Sequence, residues 1–179
     1  SALVFGALTV AGNLTGTISG GAVTQSGVLV VPGTTSITAS GQNVTFDNAS
    51  NNFGTIGVTG ADVAIRDTNA VIIAASTVSG DLSVTATGAI TDSGNISVDE
   101  SSKTATFAAG SGNNIILDQA GNDFRTLAIT TGNDVTIRDT NGIDLGASTV
   151  SGDLSVTAAG AITDSGNISV DGSLSHINI

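Results

Sequence analysis

Near-perfect internal repetition is the feature that most constrains the fold of this chain. Residues 75–99 read ASTVSGDLSVTATGAITDSGNISVD and residues 147–171 read ASTVSGDLSVTAAGAITDSGNISVD, with one difference, Thr87 against Ala159. Upstream, GQNVTFDNASNNF at 41–53 parallels GNNIILDQAGNDF at 112–124, and VAIRDTN at 63–69 parallels VTIRDTN at 135–141. Repetition on this scale predicts units that stack on one another and share a continuous core.

The offset between the copies defines the organisation of the chain. The matched segments lie 71 or 72 residues apart, and a weaker copy, LTVAGNLTGTISGGAVTQSG, occupies 8–27. The 179 residues therefore hold a partial unit at 1–33 and long units at approximately 34–104 and 105–179, all in one domain. Because the first and last units are incomplete, we expect a fragment of a longer array.

Each long unit divides into short apolar–polar alternations separated by Gly, Asn, Asp or Ser, and this period of two predicts β-strands. Typical inward-facing candidates are Val84, Ile90, Ile96 and Val98. Nine strands in about 71 residues predict three coils of about 24 residues, each with three strands. The predicted strand centres are Ile56, Ala64, Ile72, Ser83, Ile90, Ser97, Thr106, Ile116 and Leu127.

Short strands, polar corners and a coil period in the twenties favour an all-β, right-handed parallel β-solenoid (β-helix), with right-handed winding as the default for parallel crossovers. We expect about 7–8 coils of roughly 20–26 residues, stacked about 4.8 Å apart. An antiparallel sandwich or barrel built from the same strands is the alternative.

Composition excludes several classes of function. The chain carries 4 Lys and Arg against 15 Asp and Glu, a net charge of −11, so we expect no nucleic-acid partner. Cysteine is absent, which excludes disulfides and thiolate chemistry, and the only histidine is His176, near the end. No apolar stretch approaches the roughly 18 residues of a membrane-spanning helix, so we expect no membrane insertion. We predict no cofactor and no catalysis.

A recurrent acidic marker is the most site-like feature. A short alternation ending in Asp recurs every 20–26 residues, and stacked carboxylates of this kind could bind Ca²⁺. The interpretation we favour is that each Asp caps its own turn through Asx hydrogen bonds, as in Asp-Thr-Asn and Asp-Ser-Gly-Asn. The candidates are Asp47, Asp67, Asp92, Asp118, Asp139 and Asp164.

Units such as ASTVSGDLSVTATGAITDSGNISVD and NIILDQAGNDF resemble the repeats of filamentous-haemagglutinin-like proteins, which are large secreted bacterial surface proteins. The resemblance covers nearly the whole chain and implies a long right-handed β-helical shaft. It also implies export to the cell surface by a two-partner or autotransporter route, and a role in adhesion or biofilm formation. A host-cell or matrix receptor would then bind outside this shaft segment.

We therefore predict a structural and adhesive segment of a secreted or bacterial cell-surface filament, whose neighbouring coils are its main partners. The alternatives are a polysaccharide-active β-helix enzyme and a self-assembling extracellular filament subunit. Residues 1–46 contain no Asp, Glu, Lys or Arg. Strand edges without charge are open to strand addition, so we expect the isolated segment to self-associate end to end.

Overall fold

The computed structural model of the protein describes residues 1–98 and 100–178, and these residues form β-strands without any helix. Most strands are three to five residues long and end at a polar corner. The described strands are β1 (Leu3–Phe5), β2 (Leu8–Thr9), β3 (Leu14–Thr17), β4 (Val23–Gln25), β5 (Leu29–Thr38), β6 (Val44–Phe46), β7 (Asn52–Gly60), β8 (Val63–Asp67), β9 (Val71–Ile73), β10 (Ser76–Val78), β11 (Leu82–Ala86), β12 (Ile90–Asp92), β13 (Ile96–Val98), β14 (Thr104–Ala108), β15 (Ile115–Leu117), β16 (Asp123–Phe124), β17 (Thr126–Thr131), β18 (Val135–Asp139), β19 (Ile143–Leu145), β20 (Ser148–Val150), β21 (Leu154–Ala158), β22 (Ile162–Asp164), β23 (Ile168–Val170) and β24 (Leu174–Asn178).

The strands stack as a parallel β-solenoid. Every strand pair in the described residues is parallel, and each strand pairs with the strands one coil before and one coil after it. One sheet has nine strands, in the order β1-β4-β6-β8-β11-β14-β17-β19-β22, a second has thirteen, and β20 and β23 form a third. This confirms the predicted parallel architecture and excludes the antiparallel alternative for the described residues.

The number of coils is higher than predicted. The nine-stranded sheet gives about nine rungs within the described residues, where the sequence predicted seven to eight. The eight steps from Leu3 to Asp164 average about 20 residues. Single steps vary widely, from 17 residues between Thr55 and Ile72 to 26 between Ser97 and Asp123. Coil length therefore follows the local corner and not one fixed period.

The difference arises from two strands that the alternation pattern did not reveal, β10 and β16. In β10 the inward position is Ser76, which is 6% exposed. Its hydroxyl accepts a hydrogen bond from Val58 N (3.0 Å) and donates to the carbonyl of Ala74 (2.9 Å), so a polar side chain is tolerated inside. All nine predicted strand centres lie within strands, but β10 closes a coil eight residues earlier than the pattern indicated.

The core is a narrow column of aliphatic side chains with phenylalanines at two levels. The predicted inward residues Val84, Ile90, Ile96 and Val98 are all buried. Phe46 lies 6.0 Å from Phe53, and Phe107 lies 6.2 Å from Phe124 at an interplanar angle of 84°. Such tilted and edge-on aromatic pairs stabilise beyond their buried area alone.

A sequence unit is not a whole number of coils. From Val71, three register steps through Ile90 and Ile115 lead to Val135, which is the repeat equivalent of Val63 and not of Val71. One unit therefore spans three coils plus one face. Accordingly, β8 lies in the nine-stranded sheet while its repeat equivalent β18 lies in the thirteen-stranded sheet, and β9 and β19 are exchanged in the opposite sense. Equivalent surfaces of successive units consequently appear on different faces of the solenoid.

We expect Thr35→Val to stabilise the fold. Thr35 is fully buried, and among the described residues its Oγ1 is the one buried side-chain polar atom without a hydrogen-bond partner. The corresponding position of the next unit holds Ala105, which pairs in register with Leu82 and Leu127 as Thr35 pairs with Leu14 and Ile56. Removing an unsatisfied buried hydroxyl while keeping the shape should raise the free energy of unfolding by about 1–2 kcal/mol in chemical denaturation.

The control for this change is Thr38→Val, at an exposed position of the same strand, which should have little effect. A lower stability of Thr35→Val than of the control would show that the Thr35 hydroxyl has a partner.

Candidate functional site

The six predicted aspartates do not form one column. In the register of the sheets, Asp67 lies opposite Ala86, and Asp92 lies opposite Ile73. Asp139 lies opposite Ala158, and Asp164 lies opposite Leu145. The stacked row of carboxylates expected from their spacing is therefore wrong, because coil lengths differ from the marker spacing. Asp47, Asp118 and Asp164 are exposed.

Asp67 and its repeat equivalent Asp139 do cap their own turns, as predicted, and also hold a neighbouring coil. Asp67 Oδ1 accepts from Asn69 N (2.8 Å), while Oδ2 accepts from Phe53 N (2.6 Å), 14 residues earlier. Asp139 bonds Asn141 N and Phe124 N in the same way, at 2.9 and 2.7 Å. Both aspartates are almost completely buried, so their role is structural.

Asp92 acts across coils and not within its own turn. Its Oδ1 accepts from Asp118 N (3.1 Å), and its Oδ2 accepts from Gln119 N (3.3 Å) and from Asn122 Nδ2 (2.6 Å). Asn122 is fully buried, and its Oδ1 accepts from Ile96 N at 2.8 Å. The carboxylate and the amide together lock two successive coils.

The earlier part of the chain builds the same lock from neutral groups. Asn51, the repeat equivalent of Asn122, is also fully buried, and its Oδ1 accepts from Leu29 N (2.9 Å). Its partner is Gln25, where two amide–amide hydrogen bonds of 2.8 Å replace the carboxylate contact. The sequence analysis missed both asparagines, although they occupy matching positions of the two units and an apolar residue follows each within two positions.

Two further ladders of side chains were missed. Before each strand start on one corner, an Asn or Asp oxygen accepts from the backbone N–H of the next coil: Asn43 from Asp62, Asp62 from Asp81, and Asp81 from Thr104, at 2.9–3.2 Å. Asn114, Asp134 and Asp153 repeat this arrangement in the later unit. The signal was the recurrent Gly-x-Asp or Gly-x-Asn directly before a Val or Leu.

Charge pairing is sparse. Within the described residues one ion pair is formed, between Lys103 Nζ and Asp81 Oδ2 at 4.0 Å on the surface. Arg66 and Arg138, which we expected to bridge to carboxylates, instead lie exposed beside Thr85 and Thr157. No group of three or more acidic or histidine side chains in this part of the chain is arranged to hold a metal ion. The side chain of His176 lies outside the described residues.

The two long units differ in charge at three positions, and all three lie around one groove. Between 41–99 and 112–171, the charge-changing differences are Asn52 against Asp123, Gly54 against Arg125, and Ile72 against Asp144. The groove has a volume of about 430 Å³ and is lined by Arg125 and Asp144 together with Thr126, Thr163 and Gly142. We call Asp123, Arg125 and Asp144 the charged corner.

Sheet register brings the charged corner together. Asp144 pairs with Thr126 below it and with Thr163 above it, and Asp144 N donates to the carbonyl of Arg125 (3.2 Å). The Asp144 carboxylate accepts hydrogen bonds from the hydroxyls of Thr163 (3.1 Å) and Ser165. The Arg125 side chain is exposed. A donor, an acceptor and hydroxyls side by side suit a ligand that both donates and accepts hydrogen bonds, such as a polyol.

Acid titration of Asp67 provides a test of its buried position. Burial raises the pKa of this carboxyl above its ordinary value, although hydrogen bonds from Phe53 N and Asn69 N act in the opposite direction. Because the folded pKa exceeds the unfolded one, ionised Asp67 opposes folding at neutral pH, and this penalty is removed as the pH falls through the folded pKa. The stability difference between the wild type and Asp67→Asn should therefore move in favour of the wild type as the pH is lowered from neutral towards about 4.

Chemical denaturation at a series of pH values measures this difference. The exposed Asp47→Asn variant serves as the control for general charge effects. Movement in favour of Asp67→Asn at low pH would contradict the expectation.

The fold and its ladders define a repeat protein of the β-solenoid class, with side-chain locks between coils and one groove that interrupts the repeat symmetry. The chain belongs to the family described as repeats of unknown function (DUF5649), which matches residues 1–59, 60–131 and 132–178. The complete match at 60–131 has the length of the unit found from the sequence. Searches of curated proteins and of solved structures gave no match. The described residues contain no helix that is long and apolar enough to cross a membrane.

Proposed function

We propose that this chain is a structural and adhesive segment of a secreted bacterial filament or cell-surface protein, and that it carries out no catalysis. The observation that supports this proposal most directly is the unbroken stack of about nine parallel rungs, in which both long units repeat the same side-chain locks. Such an array acts as a spacer, because each coil depends only on its neighbours and further units extend it. The resemblance to filamentous-haemagglutinin-like repeats supports the extracellular location.

The location is tested with antibodies raised against residues 1–179. On intact cells of the source bacterium, the antibodies should label the surface, and added protease should remove the label. An antibody against a cytoplasmic protein provides the control for cell integrity. Labelling that requires permeabilised cells would overturn the extracellular part of the proposal.

The spacer role is tested by duplicating residues 60–131 directly after residue 131. The new junction joins Thr131 to Gly60 and so copies the natural junction to Gly132, the repeat equivalent of Gly60. Three coils plus one face should lengthen the solenoid by about 16 Å in small-angle X-ray scattering. A Gly/Ser insert of equal length should instead add a flexible loop. A compact duplicated chain of unchanged length would contradict a spacer.

We assign the adhesive contact of this segment to the charged corner. Beads carrying the wild-type chain should be retained on epithelial cell layers or immobilised neutral glycans, and the double variant Arg125→Ala/Asp144→Ile should lose most of this retention. The variant Arg66→Ala changes an exposed arginine elsewhere and serves as the control. Equal retention of the wild type and the double variant would overturn this assignment.

A filament subunit is the second candidate, and the distribution of exposed apolar side chains favours it. Of the large apolar side chains that are exposed among the described residues, Leu3, Val4 and Leu174 lie on the first and last rungs. These rungs also carry unpaired strand edges, which invite strand addition. We therefore propose that the isolated segment associates end to end. Sedimentation should show a mass that increases with concentration, and a constant monomer mass at high protein and high salt would contradict this.

A further inference from the structure

One corner of the later unit carries a chemical feature that the matching corner of the earlier unit lacks. Asn141 is followed by Gly142 between β18 and β19, whereas Asn69 is followed by Ala70 between β8 and β9. Asn141–Gly142 is the one Asn-Gly pair in the 179 residues. Both asparagines are exposed and lie outside the strands.

The two corners are otherwise closely matched. Asn141 N donates to Asp139 Oδ1 (2.9 Å), and Asn69 N donates to Asp67 Oδ1 (2.8 Å). The side-chain amide of Asn141 donates to Asp123 Oδ1 (2.9 Å), and that of Asn69 donates to Asn52 Oδ1 (3.2 Å). The chain thus provides its own comparison for the effect of the residue that follows the asparagine.

We propose that Asn141 is a site of spontaneous covalent modification by succinimide formation. The backbone nitrogen of Gly142 loses its proton to solvent base and attacks Cγ of Asn141. A new C–N bond closes a five-membered ring, the bond from Cγ to the side-chain nitrogen breaks, and ammonia leaves. Water then opens the ring at either carbonyl, giving aspartate or isoaspartate, without any oxidant or reductant.

Glycine is the residue that permits this attack. The nucleophile must approach Cγ of the preceding side chain through backbone angles that a Cβ restricts, and glycine has no Cβ. Exposure of the corner supplies the water and the base. At Asn69, the Cβ of Ala70 hinders the same approach, so the earlier unit should remain intact.

The product would loosen the corner from both neighbouring coils. The carbonyl of Asn141 accepts from Gly160 N in the next coil at 2.6 Å, and its side-chain amide holds Asp123 in the previous coil. Isoaspartate adds a methylene group to the main chain at this corner, and either product places a carboxylate beside Asp123. The two carboxylates repel each other where a hydrogen bond existed.

The experiment compares three folded chains, wild type, Gly142→Ala and Ala70→Gly, during incubation at mildly alkaline pH. Peptide mass spectrometry follows the mass increase that accompanies replacement of NH₂ by OH, and fragmentation distinguishes isoaspartate from aspartate. In the wild type, Asn141 should be converted and Asn69 should not. Gly142→Ala should slow conversion of Asn141 about tenfold or more, and Ala70→Gly should transfer comparable reactivity to Asn69.

A melting curve of each chain before incubation establishes that it is folded, and the wild type in denaturant provides the reactivity of the unfolded chain. Conversion of Asn141 in denaturant but not in the folded protein would overturn the proposal, because the fold would then protect the site. Equal conversion of Asn69 and Asn141 in the folded wild type would overturn it as well.

Discussion

Gly54→Ala is expected to destabilise the protein by about 3 kcal/mol or more, whereas Arg125→Ala at the repeat-equivalent position should change stability by less than about 0.5 kcal/mol. A Cβ on Gly54 would lie 2.0 Å from the carbonyl oxygen of Pro32, far inside van der Waals contact. The contact is with backbone, which cannot move aside as a side chain can. Arg125 already carries a Cβ and extends its side chain into solvent.

The reason for this asymmetry lies one coil below. Opposite Gly54, the register of β5 shifts between Val31 and Thr34, so that Pro32 and Gly33 bulge against a single residue. Opposite Arg125, the chain before Thr104 instead makes a wider turn, closed by a hydrogen bond from Lys103 N to the carbonyl of Glu100 (3.2 Å). The bulge leaves room for glycine alone, while the wider turn leaves room for arginine.

Urea denaturation of the two variants measures both effects, and circular dichroism shows whether Gly54→Ala still folds. If Gly54→Ala prevents folding, the double change Gly54→Ala with deletion of Gly33 provides the test, because shortening the bulge should recover part of the stability. Equal and small effects at both positions would show that the bulge does not contact residue 54.

Asn122→Asp should destabilise the protein more than Asn51→Asp, by a difference of about 2–3 kcal/mol at neutral pH. At position 122 the new carboxylate would face the Asp92 carboxylate across a contact that is now a 2.6 Å hydrogen bond. At position 51 it would face Gln25, whose amide can still donate to it. Two buried carboxylates in contact cannot both stay ionised without a large penalty.

Chemical denaturation gives the two stabilities, and amide exchange at Ile96, whose N–H is bonded to Asn122 Oδ1, reports on the lock itself. Adding Asp92→Asn to Asn122→Asp should recover much of the loss, because the repulsion is then removed. Lowering the pH should also reduce the difference between the two single variants. Identical losses at positions 51 and 122, independent of pH, would contradict the charge argument.

The location of the strands could be predicted from the sequence because alternation of apolar and polar residues is a local property. All nine predicted centres lie in strands, and the near-identity of 75–99 and 147–171 could be satisfied by a stack of like units. The candidate site could be predicted only in part. Asp67 and Asp139 cap their turns through atoms two residues away, whereas the partners of Asp92 lie 26 to 30 residues away, in another coil.

The sequence by itself determined the parallel stack, the inward faces of its strands and the repeat of 71 or 72 residues, because period-two hydrophobicity and recurring corner residues act over a few positions. The tertiary structure decided which residues meet across coils. Coil lengths between 17 and 26 residues set every register, so a unit became three coils plus one face. The same registers placed Arg125 beside Asp144 and Gly54 beneath the Pro32 bulge. These contacts join residues about one coil apart, and their spacing depends on how each corner packs, which no local pattern encodes.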